Sequence, residues 1–212
     1  MIKTQSSVKF CLVAAALIAS NLCLASISFA EKSEFNKAVI FVRDKDYSPA
    51  VNIFKSLAEQ DDHDAQYNLA LLLRKGLGHP SNYPLALQWA WLSQLSGKTK
   101  AADLAEDLIS LVPDETQDLV RAKVLKILQQ RMEKGDRDAI LQKAQYHLTV
   151  VVEPDYIAAY ALRSLGAAIG LKGAIELRDE IEGKLEIKDL MDSQARAAKI
   201  FFEYDWSAQD EG

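Results

Sequence analysis

The sequence predicts an all-α fold, a right-handed α/α solenoid of about ten helices. Through most of the chain, apolar residues recur at helical spacing between short stretches of Gly, Pro and Asp. Part of this pattern also returns later in the chain. Aligning Gly97 with Gly170 gives an offset of 170 minus 97, or 73 residues. The same offset places Tyr83 on Tyr156, as expected for two divergent copies of a four-helix unit.

The clearest helical hairpin lies in residues 64–97. We expect its first helix to end at Gly76 and Gly78, because glycine readily adopts left-handed turn geometry. Asn82 is the predicted cap of the second helix, with Pro84 in its first turn. That second helix is apolar on two sides, so we expect it to lie between neighbouring helices. Its two faces comprise Ala86, Trp89, Ala90 and Ser93, and Leu87, Trp91 and Leu95.

An earlier hairpin is predicted at residues 31–44 and 49–60, with Ser48 as the cap of its second helix. The acidic run 61–64 then favours the positive end of the next helix dipole. A calcium loop is the alternative for this run, but the Gly and the distal Glu of such a loop are missing. The remaining predicted helices, in order, are 98–110, 114–134, 138–148, 155–169, 174–182 and 188–204.

The 64–97 pattern resembles the Sel1-like repeat, a member of the tetratricopeptide superfamily. Three positions depart from the family pattern: Ala70 replaces a glycine, Leu73 replaces a tyrosine, and Asn82 replaces an acidic residue. The resemblance implies a scaffold for protein contacts and supplies no catalytic residue. The positions that carry it are Ala65, Leu69, Gly76, Gly78, Ala86, Trp89 and Gly97, with Tyr156, Ala159 and Gly170 as counterparts in the second copy.

The first thirty residues are typical of a secretory signal peptide. Lys3 and Lys9 precede an apolar run at 11–27, and Ser28-Phe29-Ala30 forms a small-x-small cleavage site. Polar residues interrupt the run, which favours this interpretation over an uncleaved membrane anchor. We therefore expect cleavage after Ala30, a periplasmic or secreted protein, a repeat domain at 31–206 and a flexible polar tail at 207–212.

Composition narrows the class of partner. The chain has a net charge of −5, which becomes −7 once Lys3 and Lys9 are removed. This acidity, without a basic stripe, argues against a nucleic-acid-binding protein. Both cysteines, Cys11 and Cys23, lie in the predicted signal, so the mature chain must be stabilised by its core without disulfides.

No pattern in the sequence indicates catalysis, a metal or a cofactor. His63, His79 and His147 have no second ligand at metal-site spacing, and there is no Gly-x-Ser-x-Gly turn. We therefore interpret the protein as a non-enzymatic scaffold or adaptor for an envelope-associated complex. The alternatives are a cell-wall glycan or peptide-binding module and, less favoured, an envelope hydrolase, which needs a nucleophile or carboxylate in a cleft.

One stripe is a candidate partner-binding surface. Tyr67, Leu71 and Arg74 recur at i, i+4 and i+7, on a different side from the packing stripe of the same helix. Aromatic and Arg side chains often contribute strongly at interfaces. The alternative is that Tyr67 and Leu71 pack against an adjacent helix, as neighbours in a solenoid commonly do.

Overall fold

The computed structural model describes residues 31–204 and residue 206, and this part of the chain contains ten α-helices and no strand. The predicted all-α solenoid of helical hairpins is confirmed. The predicted signal segment and polar tail lie outside the described residues. The helices are α1 at 31–43, α2 Tyr47–Glu59, α3 His63–Lys75, α4 Tyr83–Leu95, α5 Thr99–Ile109, α6 Asp114–Glu133, α7 Asp138–Thr149, α8 Tyr156–Ala168, α9 Ala174–Glu182 and α10 Ile187–Glu203.

The packing order shows the repeat directly. Helix α4 packs against α3, α5 and α6, and α8 packs in the same way against α7, α9 and α10. Contacts of α7 with α6 and α4 join the two groups. The central position predicted for α4 is confirmed, because residues on both of its apolar sides are buried.

Backbone hydrogen bonds repeat at nearly the same offset. The amide of Asn82 donates to the Leu73 carbonyl at 3.1 Å, and the amide of Asp155 donates to the His147 carbonyl at 2.8 Å. The predicted Asn82 cap is present, since its side chain accepts from the Leu85 amide at 3.0 Å. In the second copy the Asp155 side chain caps α8 through the Ala158 amide at 2.9 Å. The two copies therefore share turn chemistry as well as helix length.

After the C-terminal end of α3, the backbone at Gly78 lies very close to the backbone at Tyr47. Gly76 and Gly78 both have left-handed φ angles, 67° and 76°. A Cβ at Gly78 would lie 2.4 Å from the Tyr47 carbonyl oxygen, so only glycine fits there. The Ser48 hydroxyl donates to the Gly78 carbonyl at 3.3 Å.

The predicted Ser48 cap of α2 is wrong. Helix α2 begins at Tyr47, before Ser48, and no side chain caps it. The reason is the turn at Lys45, whose φ of 62° reverses the chain earlier than the sequence pattern indicated. The Asp46 amide then donates back to the Phe41 carbonyl at 2.9 Å, which closes α1.

The apolar core is unevenly divided between the copies. A single large cluster extends from Ala38 in α1 to Val150 after α7 and includes Trp89 and Trp91. The second copy adds two smaller clusters, one around Ile140 and Leu165 and one around Tyr160 and Ile181. Most of the hydrophobic stabilisation therefore lies in the first copy and at its junction with α7.

A polar network at the junction ties distant turns together. The guanidinium of Arg131 donates to Asp61 and Gln142, both at 2.7 Å, and to Asp136 at 2.8 Å. Asp61 also accepts from the Gln66 side chain at 2.9 Å. Burial raises the pKa of Asp61, and the positive charge of Arg131 opposes that rise. The network fixes the α2–α3 turn against the start of the second copy.

Candidate interaction surface

The predicted partner-binding stripe lies on α3, and its three side chains are half-buried. Tyr67 and Leu71 pack against the edge of the large core cluster. Arg74 forms an ion pair with Asp107 of α5 at 3.1 Å. The first copy thus uses much of this stripe for its own packing, and partner binding by these three residues stays a prediction.

The same stripe in the second copy lines open space. Asp64-Ala65 corresponds to Asp138-Ala139 at an offset of 74 residues. The offset carries Tyr67, Leu71 and Arg74 onto Leu141, Gln145 and Leu148 of α7. Each of these three α7 residues is half-buried and lines one or both of two adjoining recesses.

The first recess lies where the two copies meet and has a volume of about 440 Å³. One wall is the end of α4 and the following turn, from Gln94 to Gly97. Gly97 has a φ of 89° in the turn between α4 and α5, a left-handed conformation that glycine adopts readily. The other lining residues are His63, Asp138, Leu141, Gln142, Gln145 and Leu177.

The second recess, of about 340 Å³, continues along α7 and shares Gln145 and Leu177 with the first. We call the two recesses together the α7 groove. At this end lies Arg163, a buried cation whose guanidinium donates to the Leu177 carbonyl and lies 3.7 Å from Glu180. Burial lowers the pKa of Arg163 and the Glu180 charge raises it, but a guanidinium stays protonated in proteins. The other lining residues are Leu148, Tyr156, Ile181 and Lys184.

The lining of the α7 groove suits a bound ligand that carries both polar and apolar groups. Leucines from α4, α7 and α9 line it, and amide side chains stand between them. Neither the Gln94 side chain nor the Gln145 amide nitrogen is engaged in a hydrogen bond within the described part of the protein. A primary amide offers two donors and an acceptor, so these side chains can bind a peptide backbone or a sugar hydroxyl.

The sequence predicts the stripe positions in the first copy only. The signal for the second was present, since Asp138, Leu141, Gln145 and Leu148 follow the helical spacing i, i+3, i+7 and i+10. No pattern in the sequence indicates that Arg163 lies at the end of the α7 groove. Arg163 takes the position of Ala90 in the first copy, where a fully buried alanine lies between helices.

The structure places the positions of the resemblance in the core, in turns or at a helix start. Ala65, Ala86 and Ala159 are fully buried, and Leu69 and Trp89 are buried. Gly97 and Gly170 both have left-handed φ angles, and Tyr156 is half-buried at the start of α8.

The acidic run and His79 have protein partners. Asp62 caps α3 through the Ala65 amide at 2.8 Å, and Asp64 pairs with Lys98. The Nδ1 atom of His79 lies 2.7 Å from the Pro80 carbonyl oxygen. Across residues 31–204 and 206, no three His, Cys, Asp or Glu side chains form a group that could hold a metal ion. None of the helices described here combines the length and apolar character required to cross a bilayer.

No family model matches the chain, and no curated protein matches it. Among solved structures, the chain is similar to a protective antigen present in uropathogenic Escherichia coli strains, described as displaying an SLR fold. The two are 21% identical, with a TM-score of 0.37. The alignment covers 84% of this chain and 47% of the antigen chain, so this chain spans about half the length of that protein. The helical-repeat architecture of this chain is shown by its own helix contacts and by the backbone hydrogen bonds that recur in both copies.

Proposed function

We propose that this protein is a non-enzymatic interaction scaffold of the cell envelope that binds an extended segment of a partner protein in the α7 groove. The observation that carries the proposal is the continuity of the two recesses along the Leu141–Gln145–Leu148 stripe. This stripe occupies the repeat positions at which the sequence predicts a partner surface.

The dimensions and lining of the groove support an extended ligand. The recesses of about 440 and 340 Å³ lie end to end, so a ligand that fills both must be elongated. Apolar side chains of the ligand would contact the leucines, while its backbone would exchange hydrogen bonds with Gln94 and Gln145. At the far end, Glu180 and Lys184 offer both signs of charge for orientation.

A site-specific crosslink tests the proposal. We would place a photo-reactive phenylalanine analogue at Gln145, irradiate the native organism and identify adducts by mass spectrometry. We expect one dominant envelope protein, and the same analogue at the exposed Gln130 of α6 should not capture it. Equal capture from both positions would contradict binding in the groove.

A pair of matched variants tests the role of the amides. Gln94→Ala with Gln145→Ala should lower crosslinking from a probe at Asp138 by about tenfold, since a hydrogen bond contributes about 0.5–1.5 kcal/mol. The control is Gln130→Ala with Gln194→Ala, which removes two exposed amides elsewhere. Unchanged capture by the groove variant would contradict the proposed contacts.

Glycan binding is the second candidate, favoured by the amides of Gln94 and Gln145, which can bind sugar hydroxyls. A pull-down on isolated cell wall separates the two. Recovery of cell-wall material with no protein adduct at Gln145 would establish glycan binding in place of the scaffold function.

The envelope location is part of the proposal and rests on the signal pattern in residues 1–30. We expect N-terminal sequencing of the purified native protein to begin at Glu31. A protein that begins at Met1 would contradict export by this route.

A further inference from the structure

A separate recess lies on the side of α7 opposite to the α7 groove. Lys143 and His147 are displaced by two residues from Leu141 and Gln145, which is about 200° around an α-helix. They face α8 and α10, and the three helices enclose a recess of about 260 Å³. This volume is slightly below the range of pockets for drug-sized ligands, which begins at about 300 Å³, so the recess suits a small ligand.

The rim of this recess is cationic although the chain as a whole is acidic. Lys143, Arg196 and Lys199 line the recess, and Lys199 forms an ion pair with Glu203 at 3.7 Å, which leaves the charges of Lys143 and Arg196. The chain carries a net charge of −5. Lys143 and Arg196 repel one another across this small concavity, and a bound anion would relieve the repulsion.

Neither Lys143 nor Arg196 has a carboxylate partner in the part of the chain that the structure describes. Lys143 donates a hydrogen bond to the Gln129 side-chain oxygen, which leaves two of its three donors. Burial lowers the pKa of Lys143, and the more distant charge of Glu133 raises it. Arg196 is exposed and forms no ion pair with any described residue.

His147 lines the same recess as Lys143 and Arg196. Burial lowers its pKa, Asp155 raises it, and Lys143 and Arg196 lower it further. The Nδ1 atom of His147 lies 3.9 Å from Asp155. The charges of Lys143 on α7 and Arg196 on α10 therefore both act on the same ring, and all three residues line the recess.

The floor of the recess is apolar. Ala158, Ala161 and Leu162 of α8 form one part, and Ile200 of α10 forms another. Ala161 and Leu162 are almost fully buried, and both line the recess. A ligand that used the whole site would need a negative group at the rim and a short apolar group on the floor.

We propose that this recess binds a small organic carboxylate, with its carboxylate between Lys143 and Arg196 and its apolar group on Ala158, Ala161 and Ile200. The site is separate from the α7 groove and does not depend on the proposed scaffold function.

The test is a titration of the mature protein followed by backbone NMR, with N-acetyl-leucine as the probe. We expect saturable shifts at Lys143, His147 and Ile200, and no saturable shifts at Leu141 or Gln145. N-acetyl-leucinamide has the same apolar group without the charge and should bind at least tenfold more weakly. Equal binding of the two compounds, or shifts confined to other regions, would overturn the proposal.

Two further probes define the ligand. Inorganic phosphate offers charge without an apolar group, and equally tight binding of phosphate would overturn the proposed mixed ligand. The peptide Ala-Ala-Ala-Leu offers the same terminus on a chain. Binding of this peptide as tight as that of N-acetyl-leucine would support a peptide terminus as the source, and weaker binding would support a free small molecule.

Matched variants separate local contacts from overall charge. Lys143→Gln with Arg196→Gln should weaken N-acetyl-leucine binding at least tenfold, while Lys126→Gln with Lys188→Gln makes the same charge change at exposed positions outside the recess. Arg196→Gln alone alters an exposed, unpaired residue, so its fold should be intact and its affinity still reduced. Equal effects of the two double variants would overturn the assignment.

Discussion

At the scale of single residues, Gly78 determines how closely the first two hairpins approach. Its φ of 76° and the 2.4 Å distance from a hypothetical Cβ to the Tyr47 carbonyl are independent obstacles to any other residue. Gly97 has a similar φ of 89° but open space around its Cβ position. The two glycines therefore separate the cost of backbone strain from the cost of a clash.

We expect Gly97→Ala to lower the free energy of unfolding by about 1–2 kcal/mol, the cost of a left-handed residue with a side chain. Gly78→Ala should cost distinctly more, because the α1–α2 hairpin must also move away. Urea unfolding of both variants measures the difference. Equal losses would contradict the close contact with Tyr47.

Trp89 tests the alignment of the repeat. The side chain is 8% exposed and belongs to the large core cluster. Trp89→Ala should lower the free energy of unfolding by about 3–5 kcal/mol, as is usual for a large buried aromatic residue. Leu119→Ala, at a 65% exposed position on α6, is the control and should be nearly neutral. A near-neutral Trp89→Ala would contradict the buried position.

At the scale of helices, the ends of α4 and α8 illustrate what local sequence can specify. Asn82 was predicted as a cap because Asn, Asp, Ser and Thr accept hydrogen bonds from the first free amides of a helix. Asp155 performs the same role one copy later. Ser48 satisfies the same local rule but does not cap α2. The left-handed turn at Lys45 lets α2 begin at Tyr47, before Ser48.

His147 on α7 makes the stability of the protein depend on pH. Burial holds the pKa of His147 below its ordinary value of 6.5, so the unfolded chain binds a proton more readily than the folded chain. Stability from this group is complete above about pH 6.5 and is lost as the pH falls towards the lower folded pKa. Asp155, Lys143 and Arg196 are the charged groups that act on the ring.

We therefore expect the protein to lose stability between pH 7.5 and pH 5.5, and His147→Gln to lose less over the same interval. Urea unfolding at the two pH values measures both losses. His79→Gln is the control, since it makes the same substitution at an exposed loop position away from α7. If His147→Gln lost as much stability as the unmodified protein, another group would be responsible.

At the scale of the whole molecule, the two copies share a packing plan but differ in their cores. The large cluster covers α1 to α7, whereas α8, α9 and α10 depend mainly on two small clusters. In α10, Ser193 is the one buried residue, and Met191 and Phe202 are exposed. Repeat proteins are stabilised by neighbouring units, so an end with few buried residues opens first.

Hydrogen exchange should reveal this difference. We expect amides of α9 and α10 to exchange faster than those of α3, α4 and α6 under native conditions, because they open without unfolding of the large core. Mass spectrometry of peptic fragments measures the rates. Uniform protection from α3 to α10 would indicate one cooperative unit and contradict the division of the core.

Local sequence patterns determined most of the secondary structure of this protein. Helical spacing of apolar residues, glycines at turns and the 73-residue offset predicted the helices, their order and most of the buried positions. Helical spacing and turn glycines depend on neighbours a few residues apart, and the 73-residue offset compares the sequence with itself, so a single sequence displays all three. The all-α class and the central position of α4 followed for the same reason.

Only the tertiary structure decided which equivalent surfaces remain open. Tyr67, Leu71 and Arg74 and their counterparts on α7 have the same helical spacing, yet Arg74 is paired with α5 while Leu141, Gln145 and Leu148 line a groove. The recess at Lys143, His147 and Arg196 joins residues from α7 and α10 that are far apart in sequence. Such sites arise from distances between helices, and those distances depend on packing across the whole chain.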